Sequence, residues 1–197
     1  MSQFPKDPRQ IKKLISRFER SMRKEYETFG YIRDGSGARY LLGPFYLALG
    51  DVPGALGSFR WFDEEFPDDI GEPFHYLCWT LALYRSGDVA AATLKLRQTM
   101  LSNLYLVPHL LGIEREELPF KLTLNSEWRD WVLEGDPAMM VLWDAPALQW
   151  ARETYQSREF RRVRDHYIHI CILLEDERPG PTRSQLVNEL FDLRAGR

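Results

Sequence analysis

The apolar positions near the start of the chain recur at steps of three and four. One stripe with helical spacing is made of Ile11, Leu14, Ile15, Phe18, Met22 and Tyr26. Asp7 is a suitable N-cap and Pro8 is suited to a first helical turn, so a helix over residues 8–29 is predicted. Lys and Arg occupy its other faces, which is typical of a solvated helix surface.

The same periodicity continues through the middle of the chain, where glycine and proline mark the breaks. Helices are predicted over about 38–49, 52–66, 73–86 and 89–102. Gly50 and Gly87 each separate two of these helices, and Pro67 follows the end of the second one.

The pattern in the last third of the chain is looser but still helical. A short helix is expected after a Ser126 cap, and longer helices over about 145–155 and 159–174 and after the loop at residues 179–181. No stretch alternates with period two. The sequence therefore predicts an all-α fold in a single domain over residues 1–197, with an N-terminal helix at 8–29 and a C-terminal helical extension over 106–197.

The strongest feature of the sequence is an internal repeat. The run Gly50-Asp51-Val52, followed by Ala55, returns 37 positions later as Gly87-Asp88-Val89, followed by Ala92. A period of this length is typical of stacked helix pairs.

The first copy resembles the tetratricopeptide repeat. Six of the seven signature positions of that family are present at the correct spacing, namely Leu42, Gly43, Tyr46, Ala55, Phe59 and Pro67, while Arg39 replaces the signature Trp. The second copy keeps Ala92 and apolar residues at the large positions. The resemblance covers residues 36–105, and it implies antiparallel helix pairs in which Gly43 and Ala55 permit a close approach.

Tetratricopeptide arrays hold a peptide or a partner's helix on the face formed by the first helix of each pair. Transferred to this chain, the resemblance implies a partly apolar groove with the partner-binding residues Tyr40, Leu47, Phe74, Leu77, Leu81, Tyr84 and Arg85. The function that it implies is that of a non-enzymatic, protein-binding adaptor or scaffold.

Two alternatives to an open groove follow from the same pattern. Flanking helices can fold across the groove and bury it, in which case recognition moves elsewhere on the surface. The apolar faces can also pair with a second copy of the chain, which would make the protein a self-associating structural module, a homodimer without a separate ligand.

Composition and charge are those of an ordinary globular protein. Hydrophobic residues make up 44%, charged residues 28%, and the net charge is -3, which gives no overall attraction to nucleic acid. One cluster combines basic and aromatic residues, as single-strand binding requires: Tyr155, Arg158, Phe160, Arg161, Arg162, Arg164 and Tyr167. Nucleic-acid binding through Arg158–Arg164 is therefore the third candidate function.

The sequence contains few features that are typical of catalytic or metal-binding sites. Cys78 and Cys171 lie in apolar stretches, which indicates buried, reduced thiols. His166 and His169 lack zinc-site spacing, the Glu72-x-x-His75 motif occurs once, and no phosphate-loop or hydrolase motif is present. We expect no enzyme activity, no cofactor and no metal. The chain also lacks a signal-type start and a run of about 18 apolar residues, so a cytoplasmic protein without a membrane partner is predicted.

Overall fold

The computed structural model describes residues 4–121 and 124–196. Within these stretches the chain forms eleven α-helices, one 3-10 helix and no strand, so the predicted all-α fold is confirmed. The helices are α1 (Pro8–Phe29), α2 (Arg39–Ala48), α3 (Val52–Glu65), α4 (Pro73–Arg85), α5 (Val89–Ser102), α6 (Leu106–Leu110), α7 (Arg129–Glu134), α8 (Ala138–Val141), α9 (Ala145–Gln156), α10 (Arg158–Asp176) and α11 (Pro181–Ala195). The 3-10 helix, Asn125–Glu127, precedes α7.

The chain divides into two compact units. Unit 1 comprises Met1–Ala92 together with Asp136–Trp143, and unit 2 comprises Thr93–Gly135 together with Asp144–Arg197. Helices α1 to α4 therefore belong to unit 1, and α9 to α11 belong to unit 2. Helix α5 contributes its first turn to unit 1 and its remainder to unit 2.

Side-chain caps explain where many of the helices begin. A backbone N–H of the first turn donates to the side chain of Asp7, Asp51, Glu72, Asp144 or Ser157 in five of the helices. Four of these five helices also carry proline in the first turn, where its missing N–H has no intrahelical role. Because caps and prolines act locally, these starts agree with the predicted ones to within one residue.

Helices α2 and α3 form a closely packed hairpin in unit 1. Gly50 in the connection has a φ of +75°, a left-handed conformation that residues with a side chain rarely adopt. Across the hairpin, a Cβ atom on Gly43 would lie 2.3 Å from a ring carbon of Phe59. The close approach that the sequence predicted at Gly43 is present, and the Phe59 ring occupies the space that any side chain there would need.

A cluster of rings fills the core of unit 1. Phe59 stacks on Trp79 with ring centroids 5.2 Å apart, and it meets the edge of His75 at 4.9 Å. His75 also contacts Phe62 at 4.6 Å, and its Nδ1 lies 3.1 Å from the backbone oxygen of Tyr40. These contacts join α2, α3 and α4 into one core.

Helix α1 packs against α2 with its apolar face. Ile15 and Met22 are buried, and Phe18 stacks on Phe45 with centroids 6.1 Å apart. Tyr26 lies in the same stripe of the sequence, yet 53% of it is exposed. The buried part of α1 thus ends near Met22, and the ring one turn later remains accessible.

In unit 2, α9 packs against α10, and α10 packs against α11. The buried residues of α9 are Ala147, Ala151 and Tyr155, and those of α10 are Phe160, Val163, Tyr167 and Ile170. Both sets recur at steps of three and four, as expected for helices that bury one stripe.

Asn103 connects α6 to the 3-10 helix through a buried side chain. Its Oδ1 accepts hydrogen bonds from the N–H groups of Tyr105 and Leu106, and its Nδ2 donates to the carbonyl oxygens of Ser126 and Trp128. These four bonds join the backbone at the start of α6 to the backbone around the 3-10 helix.

The helix predicted after Ser126 begins three residues later, at Arg129. Its N-cap is Trp128, which makes no side-chain cap bond, so the predicted Ser126 cap is wrong. The reason is a tertiary contact. The carbonyl oxygen of Ser126 accepts a hydrogen bond from the side chain of Asn103, 23 residues away in the sequence.

Candidate partner-binding groove

The seven partner-binding residues that the resemblance implied all lie on α2 and α4, and we call their surface the α2–α4 face. Four of them, Leu47, Phe74, Leu77 and Leu81, are at most 5% exposed. Tyr40 and Tyr84 are half-buried, and Arg85 is exposed. The α2–α4 face is therefore largely core, because its apolar residues are covered in the folded chain.

The hydroxyl group of Tyr40 belongs to a polar network within unit 1. It donates to the Asp69 carboxylate at 2.7 Å and accepts from the Arg39 guanidinium at 3.1 Å. Burial and the hydrogen bond to Asp69 raise the pKa of Tyr40 to about 12. The Tyr40 hydroxyl group therefore forms its hydrogen bonds with other residues of unit 1.

A segment of the chain itself, Asp136–Trp143, belongs to unit 1 and contacts the end of the α2–α4 face. The backbone N–H of Phe4 donates to the Asp136 carboxylate at 3.0 Å. The Arg85 guanidinium donates to the backbone oxygen of Leu142 at 2.6 Å. Arg85, which the resemblance implied as a partner-binding residue, therefore binds a backbone carbonyl of the protein's own chain.

An accessible depression lies on the opposite face of α2, between α1 and α3, and we call it the α1–α3 groove. Helix α2 contributes Leu42 and Tyr46, which lie one turn apart and point away from Tyr40 and Leu47. The groove encloses about 690 Å³, which is within the range of about 300–1,000 Å³ found for ligand sites.

The α3 wall of this groove is built from small residues. Gly54, Gly57 and Ser58 lie at helical spacing, and Trp61 follows one turn later. A Cβ atom on Gly57 would meet no other atom within 4 Å. The backbone of α3 is therefore accessible from the groove at Gly57. This stripe of small residues ending in Trp61 can be recognised in the sequence. The residues that the tetratricopeptide resemblance implied, however, lie on the other face of the hairpin.

Aromatic rings line the groove and continue beyond its end. Tyr26, Tyr46 and Trp61 belong to the lining, and the neighbouring Phe29 and Tyr31 are 48% and 53% exposed. Exposed aromatic clusters are characteristic of binding surfaces, because a ring buries a large apolar area with few rotatable bonds. The sequence interpretation had assigned Tyr26 to an apolar stripe and had not singled out Trp61.

Tyr46 carries the polar chemistry of the groove. Its hydroxyl donates to Oε1 of Glu19 on α1 at 2.6 Å. Burial, the hydrogen bond to Glu19 and the negative charges of Glu19 and Asp51 raise the pKa of Tyr46 to about 12. The phenol is therefore neutral at physiological pH and acts as a hydrogen-bond donor.

Replacing Glu19 with Gln is expected to lower the pKa of Tyr46. A neutral amide no longer disfavours the phenolate, whereas the burial of the ring persists, so the pKa should fall from about 12 but stay above 10. The titration of the Tyr46 ring carbon, followed by NMR, measures this change, with Tyr40 as an internal control. An unchanged Tyr46 titration would show that the contact with Glu19 does not persist in solution.

Unit 2 contains a second cavity of about 580 Å³, lined by α10, α11 and the end of α5. Two of its charged groups form an ion pair, since Arg194 bonds to Glu127 at 2.8 Å, and Nε of Arg194 donates to the Tyr167 hydroxyl at 3.1 Å. Cys171 lines the cavity, and burial raises its pKa to about 11. The thiol is thus protonated at neutral pH and is a weak nucleophile. Burial also raises the pKa of Cys78.

Two of the histidines considered for metal chemistry, His166 and His75, make other contacts. His166 lies 2.7 Å from Glu189, and Glu72 accepts a hydrogen bond from the backbone of His75, whose ring is in the core. In residues 4–121 and 124–196, no group of three or more His, Cys, Asp or Glu side chains is arranged to hold a metal ion.

The basic and aromatic cluster on α9 and α10 separates into two faces. Its rings, Tyr155, Phe160 and Tyr167, are at most 4% exposed. Arg158, Arg161 and Arg162 are exposed on the other side of the helix, and Arg164 pairs with Asp165. Nucleic-acid stacking needs accessible rings, and these rings form the core of unit 2 instead.

These observations define an all-helical protein with an aromatic groove in unit 1. No known protein family, curated protein or solved structure matches the chain. No helix in the described part of the chain combines the length and the apolar character that crossing a membrane requires.

Proposed function

We propose that this chain is a tetratricopeptide-like adaptor without enzymatic activity, and that it binds a segment of a partner protein in the α1–α3 groove. The single observation that carries the proposal is the accessible groove, which is lined by the rings of Tyr26, Tyr46 and Trp61 together with the open backbone of α3 at Gly57. The close contact between Gly43 and Phe59 supports the tetratricopeptide-like part, since this pair occupies two signature positions of the repeat.

The character of the groove favours a polypeptide partner. Its walls are helices, and Gly57 of α3 allows another backbone to approach closely, as small residues do at helix contacts. Rings provide apolar area, while Glu19, Asp51 and Glu65 provide polar groups at the margins. This combination of an apolar centre and a polar rim is the usual composition of a protein interface.

The α1–α3 groove is a better candidate than the α2–α4 face. Leu47, Leu77 and Leu81 are at most 1% exposed, so a partner reaching them would first have to displace other parts of the chain. Binding at the α1–α3 groove requires no such rearrangement, and preformed sites avoid the cost of ordering or opening the protein.

A matched pair of substitutions at Gly57 tests this function. Gly57→Ala and Gly57→Leu are both expected to fold, because a Cβ atom there meets nothing, and each should raise helix stability by about 0.5–1 kcal/mol relative to glycine. The leucine side chain extends into the groove, whereas the alanine methyl leaves it open. We therefore expect Gly57→Leu to lose a partner that Gly57→Ala retains.

The measurement is affinity capture with the tagged full-length protein and both variants from extracts of the source cells, quantified by mass spectrometry. Circular dichroism and thermal unfolding of each variant check the fold. A partner that binds both variants equally would contradict binding in the α1–α3 groove, and capture of nothing by the wild-type protein would contradict the adaptor function.

Self-association is the competing function, and a measurement of the molecular mass in solution distinguishes it from the adaptor function. A homodimer would sediment with a concentration-dependent mass in analytical ultracentrifugation. If Gly57→Leu abolished a dimer formed by the wild type and Gly57→Ala, the groove would be an interface between copies of this chain. The adaptor proposal expects a monomer at all concentrations tested.

A further inference from the structure

We infer that the α1–α3 groove takes a basic segment of its partner, and that an arginine of this segment binds between Glu19 and Asp51 against the Tyr46 ring. This inference rests on the proposed function and adds the chemistry of the ligand. It is carried by the arrangement of two carboxylates, one phenol and two further rings around a single open space.

Two carboxylates flank Tyr46. Glu19 accepts the Tyr46 hydroxyl bond at 2.6 Å from the α1 side. On the α3 side, a Cβ atom on Gly54 would lie 2.5 Å from Oδ2 of Asp51 and 2.7 Å from Cδ1 of Tyr46, so these two side chains meet above the same glycine. The Tyr46 side chain therefore has one carboxylate at its hydroxyl group and a second near its ring.

These charges are not neutralised inside the protein. Among the described residues, Glu19, Asp51 and Glu65 form no ion pair. Asp51 uses Oδ1 to cap α3 at Gly54, and Glu19 uses Oε1 for Tyr46, so in the described part of the chain the second oxygen of each carboxylate accepts no hydrogen bond. A cation entering the groove would meet two carboxylate oxygens that are able to accept hydrogen bonds.

The rings favour the same kind of ligand. Tyr46 and Trp61 line the groove, and Tyr26 presents a ring that is 53% exposed. The face of an aromatic ring attracts a cation, and this attraction is strongest for Trp. Arginine fits better than lysine, because its planar guanidinium stacks on a ring while its several N–H groups donate to carboxylate oxygens.

Arg23 is the cation that already lines the groove, and it works against the proposed ligand. It lies one turn from Glu19 on α1, yet it forms no ion pair in the part of the chain that the structure describes. Removing its charge should therefore strengthen the binding of a cation, and removing the charge of Glu19 should weaken it. These opposite signs make the inference testable with two single substitutions.

The experiment is an NMR titration of the full-length protein with N-acetyl-arginine amide, followed at the Trp61 indole N–H and assigned with Trp61→Phe. We expect a dissociation constant on the order of millimolar for so small a probe. N-acetyl-citrulline amide, which has the same shape without the charge, should bind about tenfold more weakly. The lysine amide should fall between the two.

The variants provide the controls. Glu19→Gln should weaken binding of the arginine amide by about three- to tenfold, and Arg23→Gln should strengthen it by about two- to threefold. Equal binding of arginine and citrulline amides, or the same affinity in both variants, would overturn the inference, and equal binding of arginine and lysine amides would overturn the choice of arginine.

The two proposals fail in different ways. If Gly57→Leu abolishes partner capture while the arginine amide does not bind, the groove binds a partner of another chemistry and only the inference fails. If the arginine amide binds as expected while no partner depends on Gly57, the cation site stands and the adaptor function fails.

Discussion

Replacing Phe59 with alanine should lower the free energy of unfolding by about 3–5 kcal/mol, the largest effect expected for a single substitution here. Phe59 has no exposed surface, and its ring contacts Gly43, His75 and Trp79. Truncation removes the apolar burial of the ring and leaves a cavity among side chains that belong to three helices. Urea unfolding followed by circular dichroism measures the change.

Gly43→Ala tests the same contact from the other side of the hairpin. A methyl group at Gly43 would lie 2.3 Å from the Phe59 ring, so in the wild-type background it should cost about 1–3 kcal/mol. In the Phe59→Ala background the obstacle is absent, and the same methyl should be neutral or stabilising, since alanine is a better helix former than glycine.

The double variant therefore gives a double-mutant cycle with a large coupling energy between the two positions. If the effects of Gly43→Ala and Phe59→Ala were additive, the two side chains would not be in the contact described above. Gly57→Ala serves as the matched control on α3, because it adds the same methyl group where no atom obstructs it.

The second large effect is expected at Asp34, where substitution by alanine should cost about 2–4 kcal/mol. This carboxylate is 5% exposed and accepts hydrogen bonds from the backbone of Ala38 and Arg39 and from the Ser36 hydroxyl. It also lies 3.6 Å from the Arg39 guanidinium. Without it, two backbone donors at the start of α2 lose their acceptor, and the half-buried Arg39 guanidinium keeps Asp69 as its remaining ion-pair partner.

Asp34→Asn is the control for charge. The amide keeps one oxygen that can accept from the backbone, so about half of the loss is expected. Unfolding in urea gives the stability, and hydrogen exchange at the Ala38 and Arg39 amides reports on the start of α2 directly. Slow exchange at these two amides in Asp34→Ala would contradict the proposed role of the carboxylate.

The positions of most helices were predictable because the signals that set them are local. Asp7 with Pro8, Asp51 with Pro53 and Glu72 each act on the first turn that follows them. The break at Gly50 is equally local, since a φ of +75° favours glycine whatever surrounds it.

The prediction was poorer where a distant residue decides the local structure. The helix after Ser126 begins later than expected because the Asn103 side chain holds the carbonyl groups of Ser126 and Trp128. Helix α8, which no sequence pattern indicated, is a four-residue helix in a segment that is anchored at both ends by Phe4 and Arg85. Neither contact leaves a periodic trace in the sequence.

The same distinction between local signals and tertiary contacts applies to the candidate site. The sequence alone determined that the protein is all-helical, where its main helices begin and that Gly43 allows a close helix contact, because spacing, caps and small residues act within a few turns. Only the tertiary structure decided which apolar face stays accessible. Leu77 and Leu81 are buried, whereas Tyr26, Tyr46 and Trp61 border an open groove, because exposure depends on what packs above a helix face and not on the pattern of the helix itself.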